Sequence, residues 1–581
     1  MIRITRRVRR DSAYLIFVLI LYSNLLCQAI PNIVARENKY VANNAGNLSI
    51  GDIFVPDNYT TIQGAINAAS EGNTIVVRSK LYIEHVKVNK TVNLIGEGHP
   101  VIEGNGSIGF WGDACIMVFA HNVTIAGFIL QHTGPLRESD GALGLAGISN
   151  CNVSYNVFRF SRGGINMNSG DHNHTISDNL FQDLRGAAIW LNGYYITVCN
   201  NVMSSCGGGI VVGYPQNALI NNTITDCPTY GILLSAYLIT MRHNTISETT
   251  YGFVTMEDLL SQLNNDIDAT NTVDGRPIYY WINQSDRKVP LDAGYVALIN
   301  STNINAGNLD LGRNGHGVLI AYSNNCTITN CNITDNDRGL RILYSNNTRI
   351  YHNNIVNNYV QYDTNCMSSL DDGYPSGGNY WGANYTGDDL QFGVFQNETG
   401  NDGIGDAPFI IDDNNRDNYP LVAPISTFDA GEWNSTSYSV DIISNSTVSH
   451  FQLNWSDRTL RFNVSGQEDS IGFCRVTVPN LIVQDLWQGN YTVLVDNQPP
   501  LEVMNWTDTE NTHVYFTYQH SEHETIIIPE LASKTLLLLP SIATIIAFYR
   551  LRKKLSKKHA EQAMRHKDTV SLVAIVRTAQ Q

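Results

Sequence analysis

Four aspartates in a Gly-, Asp- and Asn-rich segment have the residue type and the spacing to bind a hard cation. Asp402 and Asp406 stand in Asn-Asp-Gly-Ile-Gly-Asp, and Asp412 and Asp413 follow closely. Carboxylate oxygens on a flexible turn suit Ca²⁺, although the complete EF-hand loop and its closing Glu are missing. The sequence therefore allows a calcium site at these four residues. The alternative is a set of turns in which each carboxylate bonds to the nearby backbone.

The sequence offers few candidate ligands for softer metals such as copper and zinc. A copper site needs clustered His, Met or Cys, and His172 and His174 form a tight histidine pair at a predicted turn. A single pair of this kind is more typical of solvent-exposed or hydrogen-bonded histidines than of a metal site. The ten cysteines are irregularly spaced and contain no Cys-x-x-Cys, which indicates neither a zinc site nor a dense disulfide framework.

Aromatic side chains offer a different chemistry, because exposed Tyr and Trp rings stack on sugars at a low entropic cost. The cluster Tyr279, Tyr280 and Trp281 is our preferred carbohydrate-binding site. The alternative is that these rings pack in turns or in the core. Further aromatic residues that could serve the same purpose are Tyr194, Tyr195, Tyr214, Tyr230, Tyr237, Tyr251, Tyr380 and Trp381.

A repeat of about 22 residues, built around Asn-x-(Ile/Phe/Met), must position these side chains. Its short aliphatic runs alternate with a period of two, which predicts strands, and its fixed period predicts a solenoid, here a parallel β-helix. Stacked coils lie about 4.8 Å apart, so equivalent amides can form a hydrogen-bonded ladder; the alternative is that they are surface turn residues. The predicted ladder residues are Asn156, Asn179, Asn201, Asn222, Asn244 and Asn353, with Cys331 as a tolerated substitution in one coil.

The ends of the 581-residue chain predict export and anchoring. Basic residues precede the apolar run Ala13 to Tyr22, as in a secretion signal. A second apolar run is followed at once by a basic tail, so the positive-inside rule places the tail in the cytoplasm and the rest outside. The predicted domains are a signal peptide (1–29), a leader (30–51), a parallel β-helix with an N-terminal cap helix and a Gly/Asp/Asn-rich closure (52–424), a small β-sandwich (425–527), a transmembrane helix (531–549) and a basic tail (550–581).

The composition limits the classes of partner. The formal net charge is −16, and much of the positive charge stands at the two ends, so nucleic acids and anionic polymers are disfavoured partners. About twenty Asn-x-Ser/Thr sequons are open to glycosylation in an exported chain. Examples are Asn122, Asn152, Asn325, Asn346 and Asn490.

Several segments together resemble the NosD-like right-handed β-helix family of the pectin-lyase-like superfamily. They are the start at Tyr59 to Ala69, the Asn-x-Ile coils, and the closing Gly378-Asn379-Tyr380-Trp381 and Asp402 to Asp406. The resemblance implies a right-handed β-helix and domains described as carbohydrate-binding and sugar-hydrolysing. For the later strands, it implies a sandwich of the kind that follows such helices in archaeal surface proteins. Some relatives act in copper-site maturation.

Gly315-His316-Gly317 with Arg338 and Arg341 is similar to motifs of polygalacturonases. However, the upstream Asp-Asp pair is missing, and Leu343 stands where the family has Lys. Since glycoside hydrolysis needs carboxylates on both sides of the bond, this motif does not predict an active site.

The preferred function is therefore non-catalytic: an exported, membrane-anchored protein of the cell surface that either binds glycans or has a structural or adhesive role in the cell envelope. Its expected partners are glycans or envelope polymers, and Ca²⁺ is the one cofactor that the sequence allows. The alternatives are a polysaccharide lyase or hydrolase and a metal-delivery accessory. An enzyme requires two carboxylates and an Arg or Lys in one groove, whereas a binder requires an exposed aromatic strip.

Overall fold

The computed structural model describes residues 52–104, 114–131, 141–256 and 258–529. It divides into two compact units, Met1–Thr427 and Phe428–Gln581. The predicted signal peptide, the leader at 30–51, the transmembrane helix at 531–549 and the basic tail all lie outside the described residues. Within the described ranges, none of the helices has the length and apolarity needed to span a membrane.

A first solenoid forms the N-terminal part of unit 1. Its strands are mostly three to five residues long, and each pairs in parallel with its equivalent one coil further on. Sheet A contains Ile53–Val55, Thr74–Arg78, Asn93–Glu97, Thr124–Ala126, Asn152–Ser154, Thr175–Ser177, Thr197–Cys199, Ala218–Ile220, Thr240–Arg242 and Asp266–Ile267. Sheet B contains Leu81–Ile83, Val101–Glu103, Ile129–Gln131, Val157–Arg159, Leu180–Gln182, Val202–Ser204, Thr223–Thr225, Thr245–Ser247 and Thr272–Val273. Sheet C contains Val86–Val88, Ile116–Val118, Gly141–Leu145, Gly163–Met167, Ala187–Leu191, Gly208–Val212, Tyr230–Leu234 and Tyr251–Thr255.

A short helix, Ile62–Ala68 (α1), packs against the first coils of this solenoid. Thr61 caps it, because its hydroxyl oxygen accepts a hydrogen bond from the Gly64 amide at 3.1 Å. Ile62, Ala65 and Ile66 are buried in the same apolar core as the strands. The helix therefore adds apolar side chains at a solenoid end that would otherwise expose its core.

The chain reverses where the sequence predicts that the same solenoid simply continues. Thr272–Val273 and Arg276–Ile282 form an antiparallel pair around the turn Asp274-Gly275. Gly275 has a φ of 77°, which a side-chain-bearing residue rarely adopts. A second solenoid starts at this turn. Its sheet D contains Arg276–Ile282, Tyr295–Ile299, His316–Ala321, Arg338–Leu343 and Val360–Thr364; sheet E contains Ser285–Lys288, Thr302–Gly307, Thr327–Thr329, Thr348–Tyr351 and Ser368–Ser369; sheet F contains Asp310–Gly312, Asn332–Thr334 and Asn354–Val356.

Sheet D lies between the cores of the two solenoids. Tyr295 and Ala297 belong to the core of the first solenoid, and Val296 and Leu298, which alternate with them, belong to the core of the second. The ring of Tyr295 meets Phe253 of sheet C edge to face, with centroids 5.0 Å apart. One face of sheet D thus covers the end of the first solenoid, while its other face forms a wall of the second.

The predicted asparagines stack inside the turn between sheets A and B. Each side-chain NH₂ donates to the next side-chain oxygen from Asn156 to Asn179 (3.1 Å), Asn179 to Asn201 (3.0 Å), Asn201 to Asn222 (3.0 Å) and Asn222 to Asn244 (2.9 Å). All five side chains are fully buried. The stack continues to Asn271, which the spacing missed because an insertion precedes it.

The second solenoid contains ladders of its own. Asn353 donates to Asn379 at 2.9 Å, and its oxygen accepts a hydrogen bond from the amide of Cys331 at 3.0 Å. The Cys331 thiol donates only weakly, to backbone oxygens. Two further ladders were not predicted from the sequence: Asn314, Asn336 and Asn358, and Ser301, Ser323 and Ser345.

The segment after sheet D is held together by small elements. These are a 3₁₀ turn, Gly382–Asn384, and two short antiparallel pairs, Gln391–Phe392 with Glu398–Thr399 and Phe409–Ile410 with Arg416–Asp417. At its centre the buried Asp417 carboxylate accepts hydrogen bonds from the amide of Asn379 (2.7 Å) and from the Trp381 indole (2.9 Å). Burial raises the pKa of Asp417 to about 7.

Unit 2 has two antiparallel sheets that share one apolar core. Sheet G contains Ile425–Trp433, Thr436–Ser444, Ile471–Pro479, Glu502–Thr507 and Asn511–Gln519, and the first of these strands crosses the boundary between the units. Sheet H contains Thr447–Asn454, Thr459–Ser465, Tyr491–Val495 and Glu522–Pro529. A helix, Asn480–Trp487 (α2), contributes Ile482, Val483, Leu486 and Trp487 to the core. The described fold is therefore all-β apart from two short helices and a 3₁₀ turn, and most of it is a parallel solenoid.

Candidate functional site

The preferred aromatic cluster does not form one surface. Because side chains alternate along a strand, Tyr280 points into the core of the first solenoid, where its hydroxyl donates to Leu263 O at 2.7 Å. Tyr280 therefore cannot stack on a sugar, which corrects the sequence prediction for this residue. Tyr279 and Trp281 share the other face and pack edge to face, 5.8 Å apart.

Tyr279 and Trp281 are also engaged by their neighbours. The Tyr279 hydroxyl donates to Asp292 at 2.8 Å, and the Arg287 guanidinium lies 4.6 Å from the centre of the Trp281 ring. Partial burial, together with the Asp292 carboxylate, raises the pKa of Tyr279 to about 12. Both rings are only partly exposed, so the pair offers less open ring surface than the sequence suggests.

The four aspartates of the predicted calcium site are separate turn residues. Asp402 accepts a hydrogen bond from Ile404 N at 2.9 Å, and Asp406 accepts bonds from the amides of Leu390 and Gln391. Asp412 accepts bonds from the Asn415 side chain and from the backbone amides of Asn414 and Asn415, and these bonds, the side-chain one above all, lower the pKa of Asp412.

No three His, Cys, Asp or Glu side chains come together as a potential metal site anywhere in the described part of the chain. The backbone bonds of Asp402, Asp406 and Asp412 fit the turns of the alternative interpretation, and a calcium site at Asp402, Asp406, Asp412 and Asp413 stays a prediction.

The histidines that the sequence singled out are not arranged for chemistry on a polymer. His174 is buried against Asp171, with Nε2 and Oδ1 3.6 Å apart, whereas His172 is exposed. His316 is buried between Tyr295 and Arg341, and burial together with the Arg341 charge lowers its pKa well below the usual range. A neutral, enclosed His316 has no access to a saccharide.

A row of tyrosines, which we name the tyrosine ridge, lies at the turn between sheets C and A. It consists of Tyr194, Tyr195, Tyr214 and Tyr237 on three consecutive coils. The backbone bonds Tyr195 N to Gln216 O and Gln216 N to Tyr237 O place these turns one above the other. Tyr195 is 57% exposed and Tyr237 is 38% exposed. Tyr194 and Tyr214 meet edge to face at 5.1 Å.

The ridge has the properties of a sugar-stacking surface. Tyr194 and Tyr214 pack against each other, and a tyrosine side chain has only two rotatable bonds, so each ring loses little side-chain entropy on binding. Within the described residues, none of the four hydroxyls has a hydrogen-bond partner, which leaves them free to bond to a ligand. The coil spacing of about 4.8 Å sets a repeat along the ridge that is close to the length of one pyranose unit.

A charged cleft lies at the junction of the two solenoids and has a volume of about 320 Å³. Asp274 and Arg276, from the reversing turn, lie opposite Asp310 and Arg313, which belong to sheet F and the turn after it, with Asp335 one coil further on. Arg313 pairs with Asp274 at 2.7 Å, and Arg276 lies 3.6 Å from the Asp310 carboxylate. Sequence reasoning missed this cleft because its residues come from three separate coils.

The cleft fulfils the minimum composition of a saccharide-cleaving site, with carboxylates and arginines in one groove. However, a general acid for glycoside cleavage is a carboxyl kept protonated by apolar surroundings. Here Asp274 and Asp310 are paired with arginines, and Asp335 is exposed. The cleft is therefore better suited to hydrogen bonding with hydroxyl groups than to proton transfer.

Comparisons with known proteins bear on the fold. The family described as "Right handed beta helix region" matches residues 141–286. Among solved structures, PfbA, a surface adhesin of Streptococcus pneumoniae, is 13% identical and has a TM-score of 0.35, with 57% of this chain and 93% of that chain covered. The tailspike protein of E. coli bacteriophage HK620 in complex with pentasaccharide is 12% identical, with a TM-score of 0.32 and coverage of 81% and 89%.

A third solved structure, a hyperthermoactive exopolygalacturonase from Thermotoga maritima, is 9% identical, with a TM-score of 0.31 and coverage of 52% and 89%. A search of curated proteins gave no match. At these identities and TM-scores the solved structures say nothing about activity. The family match and the observed strand pairing confirm that residues 141–286 belong to a right-handed β-helix.

Proposed function

We propose that this protein is exported, anchored in the cytoplasmic membrane by its C-terminus, and binds glycans or envelope polymers outside the cell without catalysis. The tyrosine ridge carries this proposal, because it combines exposed rings on stacked turns with unbonded hydroxyls. The basic and apolar segments at the two ends of the sequence support export and anchoring. Within this proposal, the chain is a NosD-like surface protein with the domain boundaries given above.

The ridge favours a partner with extended, weakly charged pyranose chains. A ring face attracts the C–H face of a sugar, and neighbouring rings on successive coils can bind successive sugars. The acidic exterior disfavours strongly anionic polymers, since like charges repel. The expected ligand is therefore a neutral polysaccharide that runs along the solenoid.

The test is a glycan-array screen of the full-length chain, followed by affinity measurement on the best ligand. Tyr195→Ala and Tyr237→Ala should each weaken binding by about 0.5–1.5 kcal/mol, or about twofold to tenfold in Kd. The matched control is Tyr359→Ala, since Tyr359 is 83% exposed but lies outside the ridge. If the ridge variants bind as the control does, the ridge is not the site.

A second candidate function rests on the charged cleft. If the protein is a polysaccharide lyase or hydrolase, Asp274, Asp310 or Asp335 must act on the bond, with Arg276 and Arg313 to bind the substrate. New reducing ends, or unsaturated sugar products, should then appear when the chain is incubated with its ligand, and Asp335→Asn should abolish them. A third alternative, metal delivery, has no supporting cluster among the described residues.

A further inference from the structure

The first hairpin of sheet G ends in a tight turn that carries an acceptor sequence for N-glycosylation. Asn434 and Ser435 connect Ile425–Trp433 to Thr436–Ser444, with φ values of 50° and 63°. Positive φ at both central residues defines a two-residue type I′ turn. Asn434-Ser435-Thr436 is an Asn-x-Thr sequon, and all three residues are exposed. The sequon therefore projects at a sharp surface turn.

The residue before this sequon belongs to an aromatic platform. The rings of Trp433 and Trp455 stack 5.0 Å apart and within 6° of parallel. The Trp455 indole donates to Ala430 O at 3.0 Å, and Tyr438 packs against the same ring. The platform is thus held in place, and Trp433 remains partly exposed next to the Asn434 side chain.

The chain contains the same tripeptide again in a setting that should prevent modification. Asn445-Ser446-Thr447 follows the second strand of the same hairpin. The amide nitrogen of Asn445 donates to Ile471 O at 3.0 Å, and its oxygen accepts a bond from Phe473 N at 2.9 Å. The Asn434 amide has no such bond to any other described residue. Its nitrogen is therefore available, whereas that of Asn445 is engaged.

We propose that Asn434 is an N-glycosylation site and that the first sugar of its glycan stacks on Trp433. The donor is a saccharide linked to a lipid diphosphate. Asn434 Nδ2 forms a bond to the anomeric carbon, the bond from that carbon to the diphosphate oxygen breaks, and the amide proton leaves to a base. The lipid diphosphate is released, and no oxidation takes place. The C–H face of the attached sugar then covers the exposed ring of Trp433.

This inference rests on export, which is part of the proposed function, but not on glycan binding by the tyrosine ridge. Glycosylation at Asn434 and glycan binding by the ridge can therefore fail separately. The test is peptide mapping of the full-length chain, expressed in a cell that N-glycosylates exported proteins. Asn434 should be occupied several-fold more often than Asn445. Asn434→Gln should lower the intact mass by one glycan, and Asn445→Gln should leave it unchanged.

Two further variants separate the sequon from the platform. Thr436→Ala keeps both tryptophans and should abolish occupancy at Asn434. Trp433→Ser keeps the sequon and should lower the occupancy, while other sequons of the chain stay modified. An unmodified Asn434 in molecules that carry glycans elsewhere would overturn the proposal, as would equal occupancy of Asn445. A chain without any modified sequon would overturn both this proposal and export.

Discussion

Replacement of Asn201 by alanine tests whether stacked amides hold the first solenoid together. The fully buried side chain donates from Nδ2 to Ile176 O (3.0 Å), Cys199 O (3.1 Å) and Asn222 Oδ1 (3.0 Å). Its Oδ1 accepts bonds from both the backbone N and the Nδ2 of Asn179, each at 3.0 Å. Asn201 therefore bonds to the coils before and after it as well as to its own.

The expected cost follows from the groups that alanine would leave without partners. The Asn179 backbone N–H and one hydrogen of its side-chain amide would face a small gap inside the turn. A buried polar group without a partner costs about 1–3 kcal/mol. With partial relaxation, we expect Asn201→Ala to lower the free energy of unfolding by about 3 kcal/mol, near the upper end for a single substitution.

The assay is denaturant unfolding followed by circular dichroism, with Asn67→Ala as the matched control. Asn67 lies in α1 with an exposed side chain, so its replacement should change stability by less than about 0.5 kcal/mol. Because each coil contacts only its neighbours, the Asn201 variant should also unfold over a broader range of denaturant. A loss no larger than that of the control would refute the stabilising role of the ladder.

Three further predictions concern buried polar groups. The raised pKa of Asp417, about 7, means that the folded chain holds this proton more tightly than the unfolded chain. Its stabilising contribution, at most about 4 kcal/mol, is therefore complete below about pH 4 and lost by about pH 8. Thermal melts across this range should show the decline, and Asp417→Asn should reduce it. Burial also raises the pKa of Asp389 to about 7, so Asp389 contributes the remaining decline in the same pH range. Arg341→Leu removes the ion pair with Asp258, and faster limited proteolysis near residue 258 would show that the pair restrains this loop. Tyr280→Ala should cost about 3–5 kcal/mol in thermal or denaturant unfolding because it opens a cavity in the first core; a loss below about 1 kcal/mol would argue against burial.

The period and chemistry of the repeat predicted much of the solenoid, because each coil specifies its own strands and turns. Asn179, Asn201 and Asn222 stand about 22 residues apart and stack as this spacing implies. Asn271 escaped detection because the insertion before it lengthens the interval to 27 residues. A search for a fixed repeat length therefore identifies coils of regular length and does not identify coils that contain a longer loop.

The reversal at Asp274-Gly275 could not be inferred in the same way. An alternating strand reads the same in either direction, so the pattern of Arg276–Ile282 does not encode whether it pairs in parallel or antiparallel. The aromatic cluster was misjudged for a different reason, which is the face of the sheet that each side chain occupies. Consecutive Tyr279 and Tyr280 look like one group in the sequence, but alternation places them on opposite faces of sheet D.

The candidate surfaces depend on register between coils, which only the folded chain reveals. Asp274, Asp310 and Asp335 stand far apart in the sequence and meet only because the second solenoid packs beside the reversing turn. The tyrosines of the ridge were individually visible as candidates, yet their alignment depends on turns that place Tyr195, Gln216 and Tyr237 one above another. The sequence thus identified tyrosines as candidate sugar-binding residues, whereas the folded structure was needed to show which of them lie side by side.

Because sheet D lies between the two cores, the number of coils in the first solenoid can change without a change in the second solenoid. A whole coil could be added to or deleted from the first solenoid, and the neighbouring coils would still form the same ladder bonds, because each coil repeats the same contacts. The covering sheet and the charged cleft would not need to change. Evolution, or an engineer, could therefore change the length of the first solenoid in steps of about 4.8 Å without altering the residues at its junction with the second.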